Sequence, residues 1–422
     1  MRMKIYVSGV GVGMGPLAFI ARDAGHHVVC SDLVEHELVE YMRAEGFNVH
    51  IGQSGQSIKE EHESEPIDWF IHTSALPQDH PELRYAHDVG MKTSKRDAFI
   101  NELLVDHELE MIAVAGTHGK TNTTAMVAWS LMQAGIPISY SIGARLPFGP
   151  FGKYQKGSRY FIYEADEFDK NFLQYHPKIS LITNIGYDHP DTYPSQLDYD
   201  MAFAQFIDQS ENVYIYADYF DGASDKIHTL TKDEDEASTT IPGKYIRQNA
   251  RLVLEMLHKE FDVPMVDAVD YINNFPGSSR RMEEVAPNIY SDYAHHPDEI
   301  RATLELGMEI SDDVGVVYQP HQNVRQHEVM DSYTDCFEGA SKLYWLPTYL
   351  SREDASLDVL TPEQLIGSLT NKELAEIAKM DDSLAVKLNE HLDSGALIIA
   401  MAAGNLDSWV RENFSSSDET EL

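Results

Sequence analysis

The chain has 422 residues, 43% hydrophobic and 24% charged, the profile of a folded globular protein too long for one ordinary core and suited to two or three domains. Acidic residues outnumber Lys and Arg by 69 to 32, and the formal charge of -37 repels polyanions, which argues against a nucleic-acid partner. With Cys30 and Cys336 the only cysteines, no disulfide framework is expected and a reducing cytoplasm is the simple reading. The start, Met1–Val7, lacks the apolar segment of a secretory signal, and no stretch approaches the ~20 apolar residues of a membrane span.

The first hundred residues alternate strands and helices, the rhythm of a mostly parallel sheet. Lys4–Val10 reads as a strand, Gly15–Ala24 as a helix stopped by Gly25, and His27–Ser31 and Trp69–Ser74 as further strands. Gly9, Gly11, Gly13 and Gly15 alternate between the first strand and helix, and Asp32 closes the second strand. Met14 and Pro16 break the G-x-G-x-x-G spacing of an NAD(P) site. A nucleotide or sugar-nucleotide diphosphate against this helix start fits better, with Gly11, Gly13, Met14 and Asp32 as candidate contacts. A merely structural tight turn is the alternative.

A second unit begins near Glu110 with the strand Met111–Ala115, the loop Gly116-Thr117-His118-Gly119-Lys120-Thr121 and the helix Thr121–Gln133. Between a buried strand and a helix, glycines let backbone N–H groups converge on phosphate oxygens, and the helix N-terminus adds its dipole. Lys120 would neutralise β/γ-phosphates and Thr121 would ligate Mg²⁺, although Val114 stands where the strict G-x-x-x-x-G-K-[ST] pattern has glycine. The strand Phe161–Glu164 ends in Glu164-Ala165-Asp166-Glu167, and Asn184, Asp188 and His189 follow the strand Ile179–Thr183. Parallel strands ending side by side present such residues at one edge. Glu164 is the better oxygen ligand for a hard cation. His189 either serves a second divalent ion or, with Asp188, caps the next element. The acidic piece Thr231–Thr240 reads as an exposed loop, followed by a helix from about Tyr245 to Phe261.

The third unit starts near Pro287, with strands Ile289–Asp292, Val314–Tyr318, Lys342–Leu346 and Ala396–Met401 and a helix from Asp298 to about Ile310. The run Asp292-Tyr293-Ala294-His295-His296-Pro297 places three ionisable side chains at a strand end, which is costly unless they are hydrogen-bonded or used. Ser74, Asp97, Arg280, Arg281, His321 and Arg325 also lie near element ends, where surface salt bridges are the plain reading of the arginines. Two distant cysteines and loosely spaced histidines argue against zinc. The tail Ser415–Glu421 reads as frayed and solvated.

One unit gripping a triphosphate beside another holding a nucleotide-like ligand suits the joining of two substrates through an activated carboxylate. The runs GVGVGMGPLAF (9–19), HTSALPQDHPEL (72–83), AVAGTHGKTNTT (113–124), EADEFDKNFL (164–173), TNIGYDHPDTY (183–193), FPGSSRR (275–281), DYAHHPDE (292–299) and QPHQNVR (319–325) resemble the Mur ligase family of peptidoglycan synthesis, in particular its alanine-adding branch. His118, and the lack of any lysine between Asp191 and Gly222, agree with that branch.

The resemblance implies an α/β protein of three domains: a Rossmann-like N-terminal domain (1–106) for the UDP-sugar, a central P-loop ATPase domain (107–284) with a mostly parallel sheet, and a C-terminal Rossmann-like α/β domain (285–422). It implies an ATP-dependent ligase joining the carboxylate of UDP-N-acetylmuramate to L-alanine through an acyl phosphate, with Mg²⁺ or Mn²⁺, in the cytoplasm, as a monomer or homodimer.

By motif match, Gly116, Thr117, His118, Gly119, Lys120, Thr121, Asn184 and Asn249 would hold ATP, with Arg281 and Asp292 at the nucleotide and domain interface. Thr121, Glu164 and His189 would serve the metal. Lys120, His189, His295 and Arg325 would act in catalysis; Gly11, Gly13, Met14, Asp32, Ser74 and His296 would contact substrate. The chain departs from the family at Tyr245 and Ile246, where a His and an Asn help hold adenine, at Gln322, where the branch has arginine, and at Asn122 and Asn405. The stretch 219–241 also reads as compressed. These departures are compatible with a changed nucleotide preference or weak turnover. Two alternatives stand beside the main reading: a related ligase adding a different amino acid or a recycled peptide to a muramate-type acid, and a ligase-like nucleotide-binding protein without turnover.

Overall fold

The structure is a computed structural model that describes residues 2–414 except 75, 190–191, 221, 223, 232–238 and 352. Most of the expected acidic loop Thr231–Thr240, and the expected frayed tail, lie outside the described residues.

The first sheet has five parallel strands, β1 (Lys4–Ser8), β2 (His27–Asp32), β3 (Asn48–Ile51), β4 (Trp69–His72) and β5 (Lys92–Ser94), in the order β3-β2-β1-β4-β5. β1 stops two residues short of the expected Val10 because Gly9 turns the chain at φ +82° and its N–H bonds back to the Ser31 carbonyl. β4 likewise ends before Thr73 and Ser74.

The second sheet comprises β6 (Glu110–Ala115), β7 (Ile138–Ser141), β8 (Gly152–Lys153), β9 (Tyr160–Glu164), β10 (Ile179–Ile182), β11 (Asn212–Tyr216) and β12 (Ile227–Leu230). Its order is β12-β11-β10-β6-β9-β7-β8, and only the β7–β8 pair is antiparallel. β6, Glu-Met-Ile-Ala-Val-Ala, is flanked on both sides and almost entirely buried, as expected of a central strand in a parallel sheet. The helix Lys120–Gln133 leaves its end and buries Ala125–Ala128 and Leu131. Its mid-helix face is wholly apolar, so it packs as an interior helix rather than an amphipathic surface one.

These two sheets belong to one compact unit, residues 1–239 with 248–276, and share a continuous apolar core. Phe19, Phe47 and Trp69 of the first part lie in the same cluster as Phe161, Tyr163 and Phe172 of the second, and Phe151 meets Tyr41 edge-on at 5.7 Å.

The second unit, residues 240–247 with 277–422, holds the third sheet. β13 (Glu283–Ala286), β14 (Ile289–Asp292), β15 (Val314–Gln319), β16 (Lys342–Trp345), β17 (Ala375–Ile377) and β18 (Leu397–Ala402) run in the order β13-β14-β18-β15-β16-β17. All pairs but β13–β14 are parallel. One cluster, around Tyr318, Tyr333 and Trp345, covers one face, and another, around Val317, Leu388 and Ile398, covers the other. That alternation along β15 is the period-two pattern of a strand buried on both sides. Among the described residues no helix is long and apolar enough to cross a membrane.

Candidate active site

In the first unit the candidate residues gather at the carboxyl ends of β10, β6 and β9, which are neighbours in the sheet. The loop after β6 is closed from several sides. Gly116 adopts φ +135°, and a Cβ there would lie 2.1 Å from Thr183 Oγ1, so no other residue fits without rebuilding the turn. Gly119, at φ +82°, packs so tightly on the Asn249 amide that a Cβ would come within 2.5 Å of Nδ2. Thr117 Oγ1 donates to the Gly186 carbonyl at 2.6 Å, lies 2.7 Å from the Tyr199 hydroxyl and accepts from Gly186 N at 2.9 Å. Asn184 clasps the backbone of His118, accepting its N–H at 3.0 Å and donating to its carbonyl at 2.8 Å.

The side chains of this loop meet three carboxylates. Thr121 Oγ1 donates to Glu164 Oε1 at 2.7 Å, and Glu164 Oε2 accepts Gly143 N–H at 2.8 Å. Lys120 Nζ lies 2.8 Å from Glu167 Oε2 and donates to the carbonyls of Gly116 and Thr117 at 2.7 and 3.1 Å. Burial disfavours the Lys120 ammonium, yet Glu167, Asp166 and Glu164 outweigh burial and hold its pKa above the ordinary lysine value. For Glu167 burial acts upward, but Lys120 and His189 prevail and keep its carboxyl below the usual range. Asp166 goes the other way: burial pushes it up, only partly offset by Lys120.

His189 stands at φ +57°, a left-handed conformation uncommon for a non-glycine residue, with its ring edge-on to Phe168 at 5.3 Å. Its Nε2 is 3.6 Å from Glu167 Oε1. Burial opposes its charged form, but Glu167 and Asp188 prevail and raise its pKa. The capping alternative does not hold: the next helix, Gln196–Gln209, is capped by Ser195, whose side chain accepts Asp198 N–H.

Around the first sheet, Gly11, Gly13 and Met14 follow β1, Asp32 ends β2 and Ser74 follows β4, three adjacent strands. Met14 is buried at the helix start, Ser74 is exposed, and Arg96 donates to the Gly13 carbonyl at 3.1 Å. Burial alone would raise the Asp32 pKa, but the His36 ring and Val34 N–H lower it on balance.

In the second unit the Asp292–His296 run divides its tasks. Asp292 accepts from Met282 N and Ala294 N, both at 2.8 Å, and from Thr303 Oγ1 at 3.1 Å. Its burial pushes its pKa up against the pull of Arg281. Arg280 and Arg281 lie over the Tyr293 ring at 4.8 and 5.1 Å. His296 caps the helix Pro297–Ile310, accepting Asp298 N–H at 3.3 Å. His295 Nδ1 lies 3.0 Å from the Tyr293 carbonyl, while Arg325 donates to Nε2, an arrangement that assigns the proton to Nδ1. Burial, aided by Arg325 and opposed by Glu299, lowers the His295 pKa to about 4. This imidazole is therefore neutral at pH 7.

A sequence model described as Mur ligase family, catalytic domain, matches residues 7–107, and the Mur ligase middle domain matches residues 114–239, together more than half the chain. The chain belongs to the Mur ligase family. A relative from Lactobacillus helveticus named UDP-N-acetylmuramate–L-alanine ligase is 28% identical over 96% of this chain and 97% of its own length. The crystal structure of the UDP-N-acetylmuramate–alanine ligase from Thermotoga maritima superposes with a TM-score of 0.78 at 23% identity, covering 97% of this chain and 98% of that one. A murein peptide ligase from Psychrobacter arcticus gives 0.66 at 21% identity, with coverage of 97% and 98%. The Mur ligase architecture that this chain resembles is an α/β fold of three domains.

Sequence reasoning missed Glu167. It named the run 164–167 and chose its first carboxylate, because nothing local shows that the last one turns inward to Lys120.

Proposed function

We propose that this Mur ligase joins the carboxylate of UDP-N-acetylmuramate to the amine of L-alanine, converting ATP to ADP and phosphate. The observation that carries the reading is the loop Gly116–Thr121, with Lys120 and the Thr121–Glu164 oxygen pair held together beneath a helix N-terminus. The names of the relatives point the same way.

The residues fit the groups this reaction needs. Gly116 and Gly119 let the loop backbone turn at positive φ as a phosphate-binding loop requires, and Glu164 with Thr121 offers the hard oxygen donors that Mg²⁺ or Mn²⁺ prefers. Such an ion, when bound, supplies positive charge to phosphate oxygens. Residues 1–106 would hold the UDP-sugar through Gly11, Gly13, Met14, Asp32 and Ser74. Residues 107–284 would hold ATP, with Asn184 and Asn249 shaping the loop, and 285–422 would serve the amine.

In the first step the γ-phosphoryl group passes to a carboxylate oxygen, giving an acyl phosphate and ADP; Lys120 neutralises the charge that develops. In the second step the amine nitrogen attacks the acyl carbon, and the C–O bond breaks as phosphate leaves. An ammonium must first lose a proton to the solvent; neutral His295, whose Nε2 is already taken by Arg325, holds that guanidinium in place and does not take the proton. Nucleotide substrates put the reaction in the cytoplasm. A different amine is the second reading, favoured by Gln322, which replaces an expected arginine and sits at φ +62°.

The test is phosphate release and product mass with ATP, Mg²⁺, UDP-N-acetylmuramate and each amino acid in turn. Release that depends on alanine and disappears in Lys120→Ala is expected. Dependence on another amine moves the reading to the second form, and no amine-dependent release overturns it.

A further inference from the structure

Glu167 has a 0% exposed side chain, and a carboxylate so buried costs several kcal/mol to desolvate unless it is paired. Its partners come from distant parts of the chain. Oε2 lies 2.8 Å from Lys120 Nζ, and Oε1 lies 3.1 Å from the same ammonium and 3.6 Å from His189 Nε2. The backbone is held as firmly as the side chain: the Glu167 carbonyl accepts the Tyr193 hydroxyl at 2.6 Å and Lys170 N–H at 3.0 Å. Directly afterwards Asp169 and Lys170 both take left-handed conformations, at φ +54° and +56°.

The ring of His189 is thus fixed between the Phe168 edge and Glu167, on a backbone that is itself strained. Nε2 faces two carboxylates, Glu167 Oε1 at 3.6 Å and Asp188 Oδ2 at 3.7 Å, which together favour a proton on that nitrogen and leave Nδ1 as the ligating one. A carboxylate behind a metal-binding histidine sets its tautomer and its direction. We infer that Glu167 is a positioning residue that aims His189 Nδ1 at a divalent cation and anchors Lys120 beside it. This rests on the reading of the loop as a metal–nucleotide site.

Glu167→Gln separates this role from simple packing, since it keeps the shape. Both partners are donors, whereas an amide is uncharged and turns one of its two heteroatoms into a donor, so the charge and at least one of the three contacts are lost. Mn²⁺ binding is followed by electron paramagnetic resonance on the full chain with a non-hydrolysable ATP analogue, and melting curves verify the fold. We expect E167Q to weaken Mn²⁺ about tenfold or more. Glu167→Asp, which keeps two acceptors, should restore part of the affinity. In a His189→Ala background E167Q should cause a smaller loss than in the unsubstituted protein, because only the Lys120 contact remains to be lost. Unchanged Mn²⁺ affinity in E167Q, or losses that multiply in the double variant, would overturn the inference while leaving the ligase reading intact. Failure of the unsubstituted protein to bind Mn²⁺ with the analogue would overturn both.

Discussion

The first unit contains two glycine loops, each running from a parallel strand into a helix, yet they are built differently. The loop after β6 is gripped by side chains from several other segments: Thr183 and Asn184 beyond β10, Glu167 beyond β9 and Asn249 from the helix Lys244–Phe261. The loop after β1 is looser. Gly11 has no neighbour within 4 Å of a would-be Cβ, and Arg96 donates to the Gly13 carbonyl. Both can present backbone N–H groups to an anion, but only the loop after β6 is held by buried charge. Its geometry depends on a network, and damage to any member should spread.

The largest expected effect tests that network through charge. Lys120→Ala leaves Glu167 buried without its principal cation, which should cost about 3–5 kcal/mol in denaturant unfolding, beyond any loss of turnover. If Lys120→Ala unfolds with the unsubstituted midpoint, the loop is not charge-locked. Next, Gly116→Ala forces a Cβ against Thr183 and Asn184 and should lower stability by about 2–3 kcal/mol. Thr117→Val removes the bonds to Gly186 and Tyr199; about 1–2 kcal/mol is expected from the same measurement.

The two loops should also respond to pH with opposite sign. The raised pKa of His189 means its contribution is full below about 6.5 and is lost as pH rises through the folded value. Asp32, whose pKa is lowered, contributes above about 3.9 and loses that contribution as pH falls through its folded value. Stability profiles of His189→Gln and Asp32→Asn should flatten on the alkaline and acid sides respectively; flattening on the same side would contradict the charge assignments. The smallest effect is the control: Gly11→Ala should stay within about 0.5 kcal/mol of the unsubstituted protein.

What could be read in the sequence follows from range. The phosphate loop is local, so Gly116–Thr121 announces itself, and the ends of β9 and β10 follow from apolar runs stopping at polar residues. The edge strands β8 and β17 are two and three residues long, too short to carry a period. In the Asp292–His296 run, three ionisable residues look alike in sequence. Only the fold assigns Asp292 to holding the backbone of 282 and 294, His296 to capping a helix and His295 to facing Arg325. Asn249 was legible as the one residue kept in an altered run, but its contact with Gly119 was not.

The core shared by the first two sheets has a consequence for how this protein can be inherited or dissected. A fragment ending near residue 107 would strip Phe151, Phe161 and Tyr163 from Phe19, Tyr41 and Trp69 and leave a sticky apolar face. The boundary between the two glycine loops therefore marks a change of task along the chain, not a place where evolution or an experimenter can cut cleanly.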